Sequence, residues 1–175
     1  FITVEPDLDG IIRRVPLVLK YGDNAYTSMA LEVARIYLGI EDANVITAFI
    51  DGDEEIEYIS LGGFIDIPVD KEGRVIIPYK GSPGSYQHIS ATDILNDNVD
   101  HNILKDSIVL LGTTAAGLYD FRATPVQSVY PGIEIQANIL SGLLDATFPY
   151  KPVWAKGADF AILLILGVMM SLLFP

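Results

Sequence analysis

The last stretch of this chain, Phe160 to Phe174, carries no charged residue, although the whole chain holds 23 Asp and Glu against 11 Lys and Arg. From Ala158 to Phe174 only Asp159 and Ser171 are polar, so the run lacks the wet face of an amphipathic helix and is apolar all round. At about 1.5 Å per residue its uncharged part covers roughly 22 Å of a hydrocarbon core about 30 Å thick. That is the start of a transmembrane helix rather than a complete span. Tyr150 and Trp154 lie just upstream, where an aromatic belt sits, and Gly167 and Ser171 are small positions of the kind that pack helices in membranes. The competing reading is a helix buried in the core of the domain. Lys151 and Lys156 do not fix the orientation, because long domains translocate largely regardless of charge.

This tail divides the chain into a domain at 1–152 and a juxtamembrane segment with the helix start at 153–175. A net charge of −12, with no Lys/Arg cluster beyond Arg13-Arg14, repels phosphate backbones and excludes nucleic acid as a partner. The same charge opposes docking flat on an anionic lipid surface. With no cysteine, disulfides, thiolate metal sites and cysteine nucleophiles are ruled out. The opening Phe1-Ile2-Thr3-Val4 reads as a strand already in progress, so an upstream segment of the domain is expected.

Strand-like and helical segments alternate, which predicts a mixed α/β class with a mostly β-sheet core flanked by helices. Ile11-Ile12 and Val15 to Leu19 read as strand, bounded by turns at Asp7-Leu8-Asp9-Gly10 and Tyr21-Gly22-Asp23-Asn24. Thr27 or Ser28 can cap a helix that runs to about Leu38 and stops at Gly39, with Met29, Val33, Ile36 and Tyr37 as its apolar side. Strands follow at Val45 to Ile50, Glu55 to Ser60 and Phe64 to Pro68. The Asp70-Lys71-Glu72-Gly73 turn then predicts a hairpin between that last run and Arg74 to Tyr79. Ser90 can cap a short helix to Leu95, with Asp93 placed for a capping box. Ser107 to Leu111 is nearly all apolar, as in a strand buried on both faces. Ile133 to Leu144 reads as a long helix, apolar at Ile135, Ile139, Leu140, Leu143 and Leu144.

Gly112-Thr113-Thr114-Ala115-Ala116-Gly117 has the glycine spacing of a phosphate-binding loop, but Leu118-Tyr119 stand where Lys-Ser/Thr belong. Without the lysine, a tight turn or a small-ligand contact at a strand's carboxyl end remains. Asp7-Leu8-Asp9-Gly10 lacks the third acid and the distal glutamate of a calcium loop. The carboxylates from Asp51 to Glu57 read as a solvated hairpin tip. Arg13, Arg14, Asp120 and Arg122 sit among apolar neighbours, where an arginine needs a partner. They read as an arginine–carboxylate pair pinning a strand to a loop, or as a fork that captures a ligand carboxylate. His88 and His101 are isolated and read as ordinary residues. The candidate ligand-binding set is therefore Arg13, Arg14, Thr113, Thr114, Asp120 and Arg122, with no catalytic residue, metal site or cofactor. A divalent-metal hydrolase using Asp7, Asp9 and Asp120, and a module that only dimerises, are the rival readings.

Several motifs follow one another in order. They are Asp7-x-Asp9-Gly10-x-x-Arg13-Arg14-x-Pro16-Leu17, Ser28-x-Ala30-Leu31-x-x-Ala34, Ile77-x-Tyr79 and Ser90-Ala91-Thr92-Asp93-Ile94-Leu95. After these come Ile108-Val109-Leu110-Leu111-Gly112-Thr113-Thr114-Ala115-x-Gly117-Leu118-x-Asp120, Thr124-Pro125 and Pro131-Gly132-Ile133-Glu134-Ile135-Gln136-Ala137-Asn138. Over nearly its whole length the chain resembles the type-two CHASE domain, an extracellular sensor associated with cyclases and histidine kinases. The resemblance implies an extracytoplasmic input domain in the cell membrane, joined through membrane helices to a cytoplasmic cyclase or kinase. The partners expected are an unknown small-molecule or envelope stimulus and a second copy of the chain, and the resemblance carries over no established binding residue.

Overall fold

A computed structural model of the chain describes residues 2, 4–22, 24–50, 53–114, 120–150 and 155–173. Among them most strands are short, and three end at a proline. Strand β1 (Arg14–Pro16) pairs antiparallel with β7 (Arg74–Ile76), placing Val15 opposite Val75, both buried. Strand β2 (Val18–Tyr21) forms a hairpin with β3 (Asn24–Thr27). Strands β4 (Ala43–Ile50), β5 (Asp53–Leu61) and β6 (Ile65–Pro68) make an antiparallel meander, and β8 (Phe121–Arg122) pairs with β9 (Tyr130–Pro131). The class is mixed α/β as expected, but the β structure is divided among sheets of two and three strands and does not form one large core sheet.

The expected first helix is α1 (Met29–Tyr37). Ser28 is its N-cap, its hydroxyl accepting from the Leu31 N–H, and Gly39 follows at φ 67°. Its inward side differs from the one expected. Ala30, Leu31 and Ala34 are buried, whereas Ile36 is 66% exposed and Tyr37 is also open. The two alanines let α1 approach α4 (Gly132–Asp145) closely, and a face built on Ile36 and Tyr37 would hold the helices apart. Helix α4 has the expected inward stripe, with Ile135, Ile139, Leu140 and Leu143 buried. Short helices α2 (Ala91–Leu95) and α3 (His101–Leu104) are capped by Ser90 and Asp100. In α2 the Ser90 hydroxyl accepts from the Thr92 N–H.

Two further expectations are corrected. The Asp70–Gly73 turn forms, with Gly73 N donating to Asp70 O at 2.8 Å and the Asp70 carboxylate capping the Glu72 and Arg74 amides. It does not close a hairpin, because β6 pairs with β5 and β7 with β1. Burial explains the choice: those partners place Ile67 on Ile59 and Val75 on Val15 within the core. Ser107 to Leu111 is not a strand buried on both faces. It joins no ladder among the described residues, and Val109 and Leu111 are exposed.

The chain ends in α5 (Ala155–Leu173), whose side chains from Phe160 to Met170 are all exposed, so the helix is not buried in the domain core. Among the described residues no helix is long and apolar enough to cross a membrane. Trp154, Lys151 and Phe174 lie outside the described residues.

Candidate functional site

The polar residues with the most constrained surroundings converge on α4. Glu134, in its first turn, is 2% exposed, and Asn138 follows one turn later, fully buried. A carboxylate or amide removed from water is costly unless hydrogen-bonded, and both are. Both Glu134 oxygens accept from the Gly84 N–H at 3.0 Å, and His88 Nε2 stands 3.2 Å from Oε1. Asn138 Oδ1 accepts from Lys80 N at 2.8 Å and from the Tyr86 hydroxyl at 3.3 Å. Its Nδ2 donates to the Glu134 carbonyl at 2.7 Å and to the Tyr130 hydroxyl at 3.0 Å.

Tyr130 in turn donates to the Gly81 carbonyl at 3.2 Å, and its ring meets Tyr79 edge-on at 5.4 Å. The Tyr79 hydroxyl donates to Ile12 O at 2.9 Å. Burial pushes the Tyr79, Tyr86 and Tyr130 phenols up, so they stay neutral donors. The result is a latch: the segment 80–88 has no regular structure of its own and is fastened to α4 by side-chain bonds.

A second cluster lies at the N-terminal end of the same helix. Gly132 N donates to Asp120 O at 2.8 Å, and a Cβ on Gly132 would lie 2.6 Å from an Asp120 carboxylate oxygen. A Cβ on Gly112 would lie 2.5 Å from Ile133 Cβ. Both positions therefore require glycine for close approach. The Asp120 carboxylate at the positive end of α4 suits the helix dipole and disfavours an anionic ligand there.

Each candidate arginine faces a carboxylate. Arg13 bonds Asp7 at 2.9 Å and Asp9 at 2.7 Å within its own turn. Hydrogen bonding to Arg13, then to the Ile11 N–H, holds the Asp9 carboxyl down at about 2. Arg14 lies 3.9 Å from Asp70, which Arg74 contacts at 2.9 Å. Arg122 stands 3.6 Å from Asp120. Thr113 and Thr114 are exposed, and Ala115 to Tyr119 lie outside the described residues. Both Asp9 oxygens and one of Asp7 accept from Arg13. No three His, Asp or Glu side chains among the described residues are grouped to hold a metal ion, so the Asp7–Asp9–Asp120 centre is not formed.

Sequence reasoning passed over Glu134 as a placed carboxylate and took His88 for an isolated residue. The available signal was the spacing of Glu134 and Asn138. Four apart, they stand beside Ile135 and Ile139 on the inward stripe of an otherwise apolar helix. Beside the latch lies a groove of about 370 Å³ bordered by Tyr86 to Ile89, α2, α3, Ser107 to Gly112 and Ile133.

Fold and site together define a mixed α/β domain whose polar residues fasten loops to a central helix beside an open groove. The chain belongs to the CHASE2 domain family, whose family model matches residues 1–172. CHASE2 domains are extracellular sensory modules of signalling proteins and are not catalytic. No curated protein matches the chain, and neither does any solved structure.

Proposed function

We propose that this domain is the extracytoplasmic input unit of a membrane-bound bacterial signalling protein. It couples a small-molecule or envelope stimulus to a cytoplasmic cyclase or kinase through α5 and the membrane segments it begins. The observation that carries this reading is α5 itself, a helix whose side chains from Phe160 to Met170 are apolar and exposed. An unbroken apolar surface of this kind is costly in water and favourable in lipid. Its uncharged part covers about 21 Å, so α5 enters the bilayer without completing the crossing by itself.

Signalling then requires two arrangements of the domain with different affinity for the stimulus, where about 1.4 kcal/mol of difference shifts the balance tenfold. In this reading the receptor works as a homodimer. A Cβ added at Gly167 would meet nothing within 4 Å, which leaves room for a second helix against that face. The test is to insert two residues at Lys156 in the full-length protein. Output is expected to change while the thermal unfolding of the domain does not. Unaltered signalling would refute coupling through α5, and recovery of the protein in the soluble fraction after carbonate washing would refute the membrane reading.

A further inference from the structure

Glu134 is the only buried Asp or Glu among the described residues, at 2% exposed. Its two oxygens share the single Gly84 N–H. Among the described residues its ion-pair partner is His88, whose Nε2 stands 3.2 Å from Oε1. A buried carboxylate is costly without a cation and much less so beside one that bonds it. The His88 side chain is 45% exposed, so its imidazole exchanges protons with the medium. Histidine is also the side chain whose ordinary titration falls between about pH 5 and 8. The groove wall that His88 shares with α2, α3 and residues 107–112 holds no second Asp, Glu, Lys, Arg or His among the described residues. Asp93, Asp97, His101 and Lys105 lie off that wall, and His101 is 2.8 Å from Asp97. At the start of α4, Asp120 is met by Arg122 at 3.6 Å, and burial keeps the Tyr86 and Tyr130 phenols neutral.

A clasp at this place acts on more than one loop. Glu134 holds residue 84, Asn138 holds residue 80, and Lys80 Nζ reaches Asp145 at the end of α4, 3.0 Å away. Just before the latch, Pro78 packs on Gly142, where a Cβ would lie 2.6 Å from the proline and 3.0 Å from the Phe148 ring. Phe148, itself buried, belongs to the stretch that leaves α4 toward α5. The segment that His88 fastens therefore bears on the exit to α5. We infer that His88 and Glu134 form a proton-operated clasp, closed when the imidazole is charged and loosened when it is neutral, that sets how firmly residues 80–88 hold α4. Protonated His88 compensates the buried carboxylate, so the clasp is tight in mild acid and slackens as pH rises through histidine's range. Resting on the sensory reading, it makes acidity on the extracytoplasmic side the stimulus.

The test is hydrogen exchange of the full chain in detergent micelles at about pH 5.5 and 7.5, corrected for the intrinsic pH dependence of amide exchange. Opening of residues 80–88 is expected to be at least about threefold more frequent at the higher pH, with no such change in α1. His88→Gln keeps a polar donor but cannot be charged, and should remove the difference. His101→Gln should keep it. A pH response absent from the parent, surviving in His88→Gln or lost in His101→Gln overturns the inference. In the full-length receptor, output should differ between the same two pH values on the extracytoplasmic side and lose the difference in His88→Gln. Output indifferent to pH overturns acidity as the stimulus. The exchange readout requires no signalling, so its failure would leave the membrane reading standing.

Discussion

Helices α4 and α5 invert the usual rule about what belongs inside. In α4 a glutamate, a glutamine and an asparagine are buried, while in α5 the leucines, isoleucines and methionines from Ile162 to Met170 are exposed. The difference lies in partners. Each buried polar group of α4 meets one: Gly84 and His88 for Glu134, Lys80 and Tyr130 for Asn138, and Ile2 O for Gln136 at 3.4 Å. In α5 the side chains from Phe160 to Met170 are exposed instead. Hydropathy therefore ranks what a segment prefers, and the available partners decide where it goes.

The sharpest way to break this comparison is a matched pair of truncations. Ile139→Ala in α4 should lower domain stability by about 2–5 kcal/mol, because the cavity opens in the packed interior. Leu164→Ala in α5 should change it by less than about 0.5 kcal/mol. Both are read from denaturant midpoints in detergent, and equal losses would mean that α5 is packed on the domain. Asn138→Ala tests the polar half. It strands the Lys80 amide and should cost about 1–3 kcal/mol, with faster hydrogen exchange confined to residues 80–88. Tyr130→Phe removes only the hydroxyl that links Asn138 to Gly81, and about 1 kcal/mol is expected.

The smallest effect belongs to the exposed cluster outside α4. The folded Asp9 carboxyl titrates at about 2, below its ordinary 3.8, so its contribution is fully present above about 4 and is lost as pH falls through about 2. Asp9→Asn should lower stability slightly above about pH 4 and make no difference below about 2, so that the pH dependence in that window flattens, as followed by circular dichroism.

Much of the local structure was legible because it depends on local chemistry. The Ser28 and Ser90 caps, the stop at Gly39, the Asp70–Gly73 turn and the inward stripe of α4 all follow from a few adjacent residues. The errors were in pairing. Nothing within Phe64 to Tyr79 announces that β7 leaves β6 to join β1, because the contact of Val75 with Val15 is distant in sequence, while β6 folds back on the strand just before it, Ile67 on Ile59. The apolar run at Ser107 to Leu111 indicated an extended chain but could not say whether neighbours existed. The site was less legible still. Arginines attract attention in a sequence, yet those beside Asp7, Asp9 and Asp70 are satisfied by nearby turns. The latch depends on Glu134 meeting a backbone amide 50 residues away, which no spacing rule encodes.

That amide has a consequence for how the domain can vary. Glu134 grips the main chain of residue 84, and Asn138 that of residue 80, so the fastening is nearly blind to the side chains carried between them. Ser82, Pro83 and Ser85 should accept wide substitution with the loop still seated, whereas proline at 84 would remove the hydrogen atom that both carboxylate oxygens share. The loop at 82–85 can thus change its chemical face from one variant to another while its anchorage stays the same.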